Sequence, residues 1–285
     1  MKKNSFNICY SADNNYIEQL CVSIVSILKN STENETFNFY IISNGIDKKH
    51  IKNCKLLSEK EMKHYHVTLP TYFRYKIGSI FKNISKILYI DCDIIVKKSL
   101  NPLFKLDLKD NFFAMVPDAE SEKEAKRLGL KKYFNAGVML INLDLWRQED
   151  LETKLFEYSK KNKKTILWQD QDVINVVCEN RIKELKNDWN FQFFLYDFAT
   201  YSELVKKLKD VSVLHLAGRF KPWIEPFEHP VFEEYYYYLS FTPWAEKVQE
   251  YKYRCFGKYL EGNIGGADKY VVSKEELLQK GLKPV

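Results

Sequence analysis

Phe6-Asn7-Ile8-Cys9-Tyr10-Ser11-Ala12-Asp13-Asn14-Asn15-Tyr16 is an apolar-rich run that stops in a polar loop, and its first six residues read as a strand. Behind the loop, Ile17, Leu20, Cys21, Ile24, Val25 and Leu28 recur at i, i+3, i+4, i+7, i+8 and i+11, an apolar stripe of helical period. Residues 37–43 predict a second strand, closed by Asn44-Gly45. Asp47 suits the N-cap of a helix to about residue 60, and 64–67 predict a third strand. Strand and helix alternate from the start. That order predicts an α/β fold with a mainly parallel sheet covered on both faces.

Outward from there, 72–81 read as helical and Lys86-Ile87-Leu88-Tyr89-Ile90 as a buried strand. Asp91-Cys92-Asp93 follows at its carboxyl end, before Ile94-Ile95-Val96. Further strands are expected at 112–116, 138–141 and 211–216, and helices at 151–161 and 172–178. After about residue 220 the texture changes: Pro222, Pro226, Pro230 and the Tyr235-Tyr236-Tyr237-Tyr238 run begin a different composition. The expected organisation is a Rossmann-like α/β domain over 1–223 and a small helical appendage over 224–285.

A chain of 285 residues with 45% hydrophobic residues can bury a sizeable core. Its net charge of +6 is spread among interspersed acidic residues, which argues against a nucleic-acid binder with one basic face. Six cysteines lie scattered without a C-x-x-C pair, several of them in apolar runs, as free thiols in a reducing compartment do. Asn4, Ser5, Asn7 and Asp13 interrupt any signal-peptide core, and no run of about 18 apolar residues occurs. A cytoplasmic protein is expected, soluble or peripheral on the inner face of the membrane. Residues 244–260 interleave aromatic and basic side chains (Trp244, Lys247, Tyr251, Lys252, Tyr253, Arg254). Two readings stay open for them: an interfacial helix on an anionic membrane, or a helix packing its aromatics on the domain.

The chemistry begins at Asp91 and Asp93. Carboxylates at i and i+2 face opposite sides of a regular strand, but where the chain turns at a strand end both can reach one ion. Buried in an apolar setting they need a partner, and Mg²⁺ or Mn²⁺ takes one or two carboxylates and fills its shell with phosphate oxygens and water. The bland alternative is a turn in which one Asp caps a neighbouring N–H. His215, at the end of an apolar run, is either a hydrogen-bonded core histidine or a third ligand; as a ligand it favours Mn²⁺ over Mg²⁺. Lys221 can place an ammonium on the same phosphates. In Gln169-Asp170-Gln171-Asp172, Asp172 reads as a helix cap, while Asp170 and Gln171, behind Trp168, read as a pocket wall. In Asn135-Ala136-Gly137, the glycine allows close approach of backbone to a ligand, with a turn or bulge as the alternative.

Together, Tyr10-Ser11-Ala12-Asp13-Asn14-Asn15-Tyr16, Tyr72-Phe73-Arg74, Leu88-Tyr89-Ile90-Asp91-Cys92-Asp93, Phe134-Asn135-Ala136-Gly137-Val138, Trp168-Gln169-Asp170-Gln171-Asp172 and His215-Leu216-Ala217-Gly218-Arg219-Phe220-Lys221-Pro222-Trp223 resemble the family 8 glycosyltransferases. The likeness is to bacterial retaining galactosyl- and glucosyltransferases of lipopolysaccharide and cell-surface glycan synthesis. It implies a GT-A type fold that binds a UDP-hexose with Mn²⁺, Mg²⁺ being the alternative ion. It implies Asp91, Asp93 and His215 as metal ligands, and Asp13 and Asn15, with Ser11 and Ala12 as backbone neighbours, at uracil and ribose. Arg74, Cys92, Asn135, Ala136 and Gly137 fall on the donor side, Asp170 and Gln171 beside the sugar, and Gly218 with Lys221 at the diphosphate. The implied acceptor is a saccharide or lipid-linked glycan. Ser11 stands where a small apolar residue is usual in the family, and the segment between Asp118 and Tyr133, an acceptor-side loop in relatives, is short.

Two other classes compete. A sugar nucleotidyltransferase also carries metal-binding aspartates on an α/β sheet, but its Gly-rich loop is missing from Ser11-Ala12-Asp13-Asn14-Asn15. A non-catalytic nucleotide-sugar or glycan binder has no need to keep Asp91, Asp93 and His215.

Overall fold

The computed structural model describes residues 4–43, 45–47, 49, 62–66, 74–192, 201–218, 221–224 and 230–252. Seven strands form the main sheet: β1 Asn4–Ser11, β2 Glu35–Ser43, β3 Met62–His66, β4 Lys86–Ile90, β6 Phe113–Pro117, β7 Phe134–Asn142 and β8 Ile182–Glu184. Their order is β3-β2-β1-β4-β7-β6-β8. β5 Ile94–Val96, β9 Phe191–Gln192 and β10 Val213–His215 make a second, three-stranded sheet in the order β5-β10-β9. All neighbours in the main sheet run parallel except β7, which is antiparallel to both β4 and β6. The mixed α/β architecture with a parallel-rich sheet is the one expected.

Alternation along the strands divides the core in two, as a sheet covered on both faces requires. Ile8 and Tyr10, Phe39 and Ile41, and Leu88 and Ile90 pack on one face; Cys9, Tyr40, Ile42, Ile87 and Tyr89 pack on the other. The expected helical stripe forms the helix Ile17–Lys29 on the first face, with Glu18 in its first turn and Lys29 in its last, both favoured there by the helix dipole. The buried phenol of Tyr10 is satisfied by Oγ of Ser23 on that helix, 3.0 Å away.

The expected helix at 72–81 is, over its described part, a short helix Ile77–Ile80 behind a 3₁₀ turn. The expected strand at 138–141 is longer, beginning at Phe134, and the β6–β7 register slips between Ala114↔Leu140 and Val116↔Asn135. Such an irregularity re-aims side chains at a sheet end. The helix that would follow Asp47 lies outside the described residues.

A third core lies between the helix Ile17–Lys29, the small sheet and the helix Pro230–Leu239, where Val22, Val25, Ile95, Leu214, Phe232 and Tyr235 meet. Buried Glu18 ties this region together, accepting from the hydroxyls of Tyr235 at 2.8 Å and Tyr251 at 3.0 Å and pairing with Lys247 at 2.8 Å. Over its described part, through Lys252, the aromatic–basic segment therefore packs on the domain: Tyr251 is buried, and Trp244 and Val248 join the third core. Its remainder, 253–260, lies outside the described residues. Among the described residues no helix is long and apolar enough to cross a membrane.

Candidate active site

Because β7 runs against β4 and β6, its first residues lie beside the carboxyl ends of those two strands. One edge of the sheet thus gathers Ser11 at the end of β1, Asp91 after β4, Asp118 after β6 and Asn135-Ala136-Gly137 at the start of β7. This is the edge at which open α/β sheets bind ligands. The last ladder bond between β4 and β7 runs from Asp91 N–H to Gly137 O at 2.9 Å. Beyond it the chain turns away through Asp91-Cys92-Asp93 into β5, and among the described residues the start of β7 has no strand on that side. Side chains of the helix Gln169–Val177 take its place. The N–H of Ala136 donates to Oε1 of Gln171 at 2.9 Å, and the N–H of Phe134 to Oδ1 of Asn175 at 2.7 Å.

Asp91, Asp93 and His215 offer ligand atoms that all lie within 4.8 Å of one another. Nε2 of His215 is 3.4 Å from Oδ1 of Asp93, and Nζ of Lys221 is 2.5 Å from Oδ2 of the same carboxylate. Arg74 bridges the second carboxylate to the third: one guanidinium nitrogen is 2.6 Å from Oδ1 of Asp91 and the other 2.9 Å from Oδ2 of Asp170. The guanidinium also donates to Ala136 O and lies over the Tyr89 ring, whose hydroxyl donates to Asp91 at 3.1 Å.

The two metal-side carboxylates are electrostatically unequal. Burial pushes the Asp91 carboxyl up, with the Asp93 charge adding to it, and Arg74 offsets only part of this. Burial acts on Asp93 too, but the charges of His215 and Lys221 outweigh it and hold its carboxyl well below the usual carboxylate range. Arg74 is buried, which by itself lowers its pKa, yet Asp170 and Asp91 hold it firmly charged.

Two carboxylates and one imidazole converging at a strand end are a donor set that fits Mn²⁺ or Mg²⁺. The charge count points the same way. With the His215 imidazole neutral, as a metal ligand must be, three carboxylates (Asp91, Asp93, Asp170) against Arg74 and Lys221 leave one negative charge in excess, the wrong sign for holding a diphosphate. A divalent cation reverses it.

The other expected residues fall around this cluster. Cys92 donates its thiol to Ser11 O at 3.3 Å, which seats the β1 loop against the aspartates. Ala12 is buried, and its N–H donates to Ile42 O at 3.0 Å. Asp13 and Asn15 are exposed at the mouth, Oδ1 of Asp13 accepting from the N–H of Asn15 at 2.9 Å. Gly218 adopts φ +81, the left-handed conformation that favours glycine, just after β10. Lys221 is buried, and its ammonium also donates to Leu216 O. Gly137 needs a correction of cause. What approaches its backbone is the His215 imidazole: a Cβ there would collide with the ring carbon Cε1 and sit 2.9 Å from Nδ1. Asp172 is a cap, as expected, accepting from the N–H groups of Leu167 and Trp168.

Several neighbours escaped the sequence reading. Asp118 accepts from Nδ2 of Asn135 at 3.0 Å and from Nε2 of Gln171 at 3.2 Å. As the first carboxylate after an apolar strand, it carries the same positional signal as Asp91. Asn175 is one helical turn beyond Gln171, a spacing that could have revealed it. Tyr16 is close enough for Asp93 and Asp91 to help burial raise its hydroxyl pKa. Asn190 had no signal, since it precedes a strand of two residues.

The family described as "Glycosyl transferase family 8" matches residues 7–226. A "Putative glycosyltransferase" of Haemophilus influenzae is 30% identical over 249 residues, covering 79% of this chain and 75% of its own. The "Lipopolysaccharide 1,2-glucosyltransferase" of Escherichia coli is 28% identical over 314 residues, covering 96% and 92%. Among solved structures, galactosyltransferase LgtC in complex with donor and acceptor sugar analogs superposes with a TM-score of 0.72 at 26% identity, covering 84% of this chain and 96% of that one.

Proposed function

The chain belongs to glycosyl transferase family 8 and is a glycosyltransferase, and from that premise we propose that it is a retaining hexosyltransferase taking galactose or glucose from a UDP-sugar. Its acceptor is a saccharide or lipid-linked glycan of the lipopolysaccharide or cell-surface class, in keeping with the glucosyltransferase it resembles. The observation that carries this reading is the convergence of Asp91, Asp93 and His215 within 4.8 Å at the sheet edge, with Arg74 and Asp170 alongside.

A bound Mn²⁺, or Mg²⁺ in its place, supplies Lewis-acid neutralisation of the charge that develops on departing UDP. Asp91, Asp93 and Nε2 of His215 hold that ion. Asp13 and Asn15 bind the uracil and ribose, with Ser11, Ala12 and Cys92 forming the backbone floor beneath them. Lys221, paired with Asp93 in this structure, would offer its ammonium to the diphosphate beside Gly218. Arg74, Asn135, Ala136 and Gly137 line the donor. Asp170 accepts from sugar hydroxyls, and Gln171, its amide held at both ends, stabilises the oxocarbenium-like carbon. Retention follows from front-face attack, the departing phosphate taking the acceptor's proton; no carboxylate other than Asp170 is offered as a nucleophile.

The catalytic part spans 1–223, with 224–285 as the C-terminal part. The enzyme works in the cytoplasm, which suits cysteines buried as Cys9, Cys21, Cys92 and Cys178 are. A peripheral contact with anionic membrane would fall to the part of 244–260 beyond Lys252, since Tyr251 and Lys247 are engaged by Glu18. The test is UDP release from UDP-galactose and UDP-glucose with Mn²⁺, with Mg²⁺ and with chelator, and the anomeric configuration of the product. Metal-dependent UDP release with retention supports the proposal. Pyrophosphate from UTP would assign a nucleotidyltransferase, and no release from either sugar nucleotide would assign a binder.

A further inference from the structure

His215 faces the Asp91–Asp93 pair with one ring nitrogen and keeps the other inside the protein. Its Nδ1 lies 2.9 Å from Oδ1 of Asn190, a fully buried amide at the start of β9. An amide beside an imidazole fixes the ring's proton only when the amide's own orientation is fixed. Here two groups of invariable role fix it. The backbone N–H of Gly137 can only donate, and it donates to Oδ1 of Asn135 at 3.0 Å. The Asp118 carboxylate accepts, and it takes Nδ2 of the same Asn135 at 3.0 Å.

With Asn135 pinned at both ends, its Oδ1 faces Asn190, whose Nδ2 donates to it at 2.8 Å. Asn190 must then present Oδ1 to the imidazole. An amide oxygen cannot donate, so a proton sits on Nδ1, and in the neutral ring it is Nε2 that carries the lone pair, toward the carboxylates. Each step puts a donor against an acceptor, and reversing any amide would set two donors or two acceptors face to face.

We propose that Asp118, Asn135 and Asn190 form a positioning relay that locks His215 in its Nδ1–H tautomer, so that Nε2 is a ready ligand before any ion arrives. The relay rests on the reading of His215 as a metal ligand. It also reaches the sugar side of the site. Asp118 takes the Nε2 amide of Gln171 at 3.2 Å while the backbone N–H of Ala136 holds Oε1 of Gln171 at 2.9 Å. One carboxylate therefore orients both the metal ligand and the amide beside the sugar. Partners of this kind on a ligating histidine typically tune metal affinity by about 10–100-fold.

The test begins with the metal-free wild-type protein labelled with ¹⁵N in its histidines, the His215 ring signals being assigned by their loss in His215→Gln. Long-range ¹H–¹⁵N correlation, at a pH alkaline enough for the ring to be neutral, is expected to show its single proton on Nδ1; a neutral ring with the proton on Nε2 overturns the relay, and this measurement needs no variant to fold. Asn190→Leu removes the acceptor. It should release the tautomer and weaken Mn²⁺ binding, followed by EPR titration, by about 10-fold or more. Asn190→Asp keeps an oxygen on Nδ1 and should keep the tautomer and bind Mn²⁺ far better than Asn190→Leu. If Asn190→Leu folds, keeps the Nδ1–H tautomer and binds Mn²⁺ within about twofold of wild type, the three residues only satisfy one another and the relay is wrong. Failure of wild type itself to bind Mn²⁺ would overturn the metal site, an outcome distinct from a misplaced ring proton.

Discussion

Asp170 and Asp172 stand two positions apart in the first turn of one helix, yet their surroundings differ in kind. Asp172 is 1% exposed and accepts from four fixed donors: the N–H groups of Leu167 and Trp168, the Tyr133 hydroxyl at 2.6 Å and the Arg127 guanidinium at 2.7 Å. Its acceptor capacity is used up by the fold. Among the described residues, Asp170 has one ion pair, with Arg74, which it shares with Asp91. Asp93 resembles Asp170, since among the described residues its carboxylate partners are the side chains of His215 and Lys221 and no backbone N–H. A carboxylate saturated by backbone and packed side chains is structural. One balanced by long cationic side chains is available to a ligand, because those cations can turn to another anion.

That contrast can be broken in several ways. The largest effect should come from Asp93→Asn, which removes a metal ligand and should lower UDP release about a thousandfold, or about 4 kcal/mol, with little change in unfolding midpoint. Asp172→Ala should do the opposite. Removing the buried end of the Arg127 ion pair, which keeps only Glu124, and stranding the buried Tyr133 hydroxyl should lower unfolding free energy by about 2 kcal/mol in a urea titration, while the folded fraction keeps a turnover well above that of Asp93→Asn. Asp170→Asn sharpens the comparison within the site: turnover at saturating donor should fall about tenfold with stability unchanged. A fall below about a thousandth would make Asp170 the nucleophile of a double displacement.

The smallest effect is in pH dependence. Burial acts to raise the Asp172 carboxyl, but Arg127, Tyr133 and the two backbone N–H groups outweigh it, so its folded pKa lies below the unfolded value. Its stabilisation is therefore complete above an unfolded pKa of about 4 and is lost as the pH falls through the folded value. The stability gap between wild type and Asp172→Asn should be full at neutral pH and narrow in acid, read from urea midpoints. A gap independent of pH would mean that Asp172 acts by shape alone.

Much of this was legible in the sequence where a local rule applied. The β1 strand, the helix stripe from Ile17 to Leu28 and the strand before Asp91 follow from periodicity, and Asp91 and Asp93 stand out as a candidate pair by their burial cost at a strand end. The Asp172 cap was legible because capping depends on neighbours in sequence. What stayed hidden depends on pairing at a distance. The reversal of β7 is a fact of topology, yet it is what sets Asn135 and Gly137 against Asp91 and His215. Gly137 was read as room for a ligand because the ring that fills that room lies far along the chain. Asn190 was invisible for the same reason, since its role exists only once β9 lies beside β10.

The central claim is that Asp91, Asp93 and His215 hold a divalent ion on which transfer from a UDP-sugar depends. The most direct test is UDP release from UDP-galactose and UDP-glucose by the purified enzyme, with Mn²⁺ and with excess chelator, alongside Asp93→Asn. The account predicts release with Mn²⁺, loss with chelator and recovery on adding the ion back to wild type but not to Asp93→Asn. Equal release with and without chelator, or an Asp93→Asn enzyme as active as wild type, would contradict it.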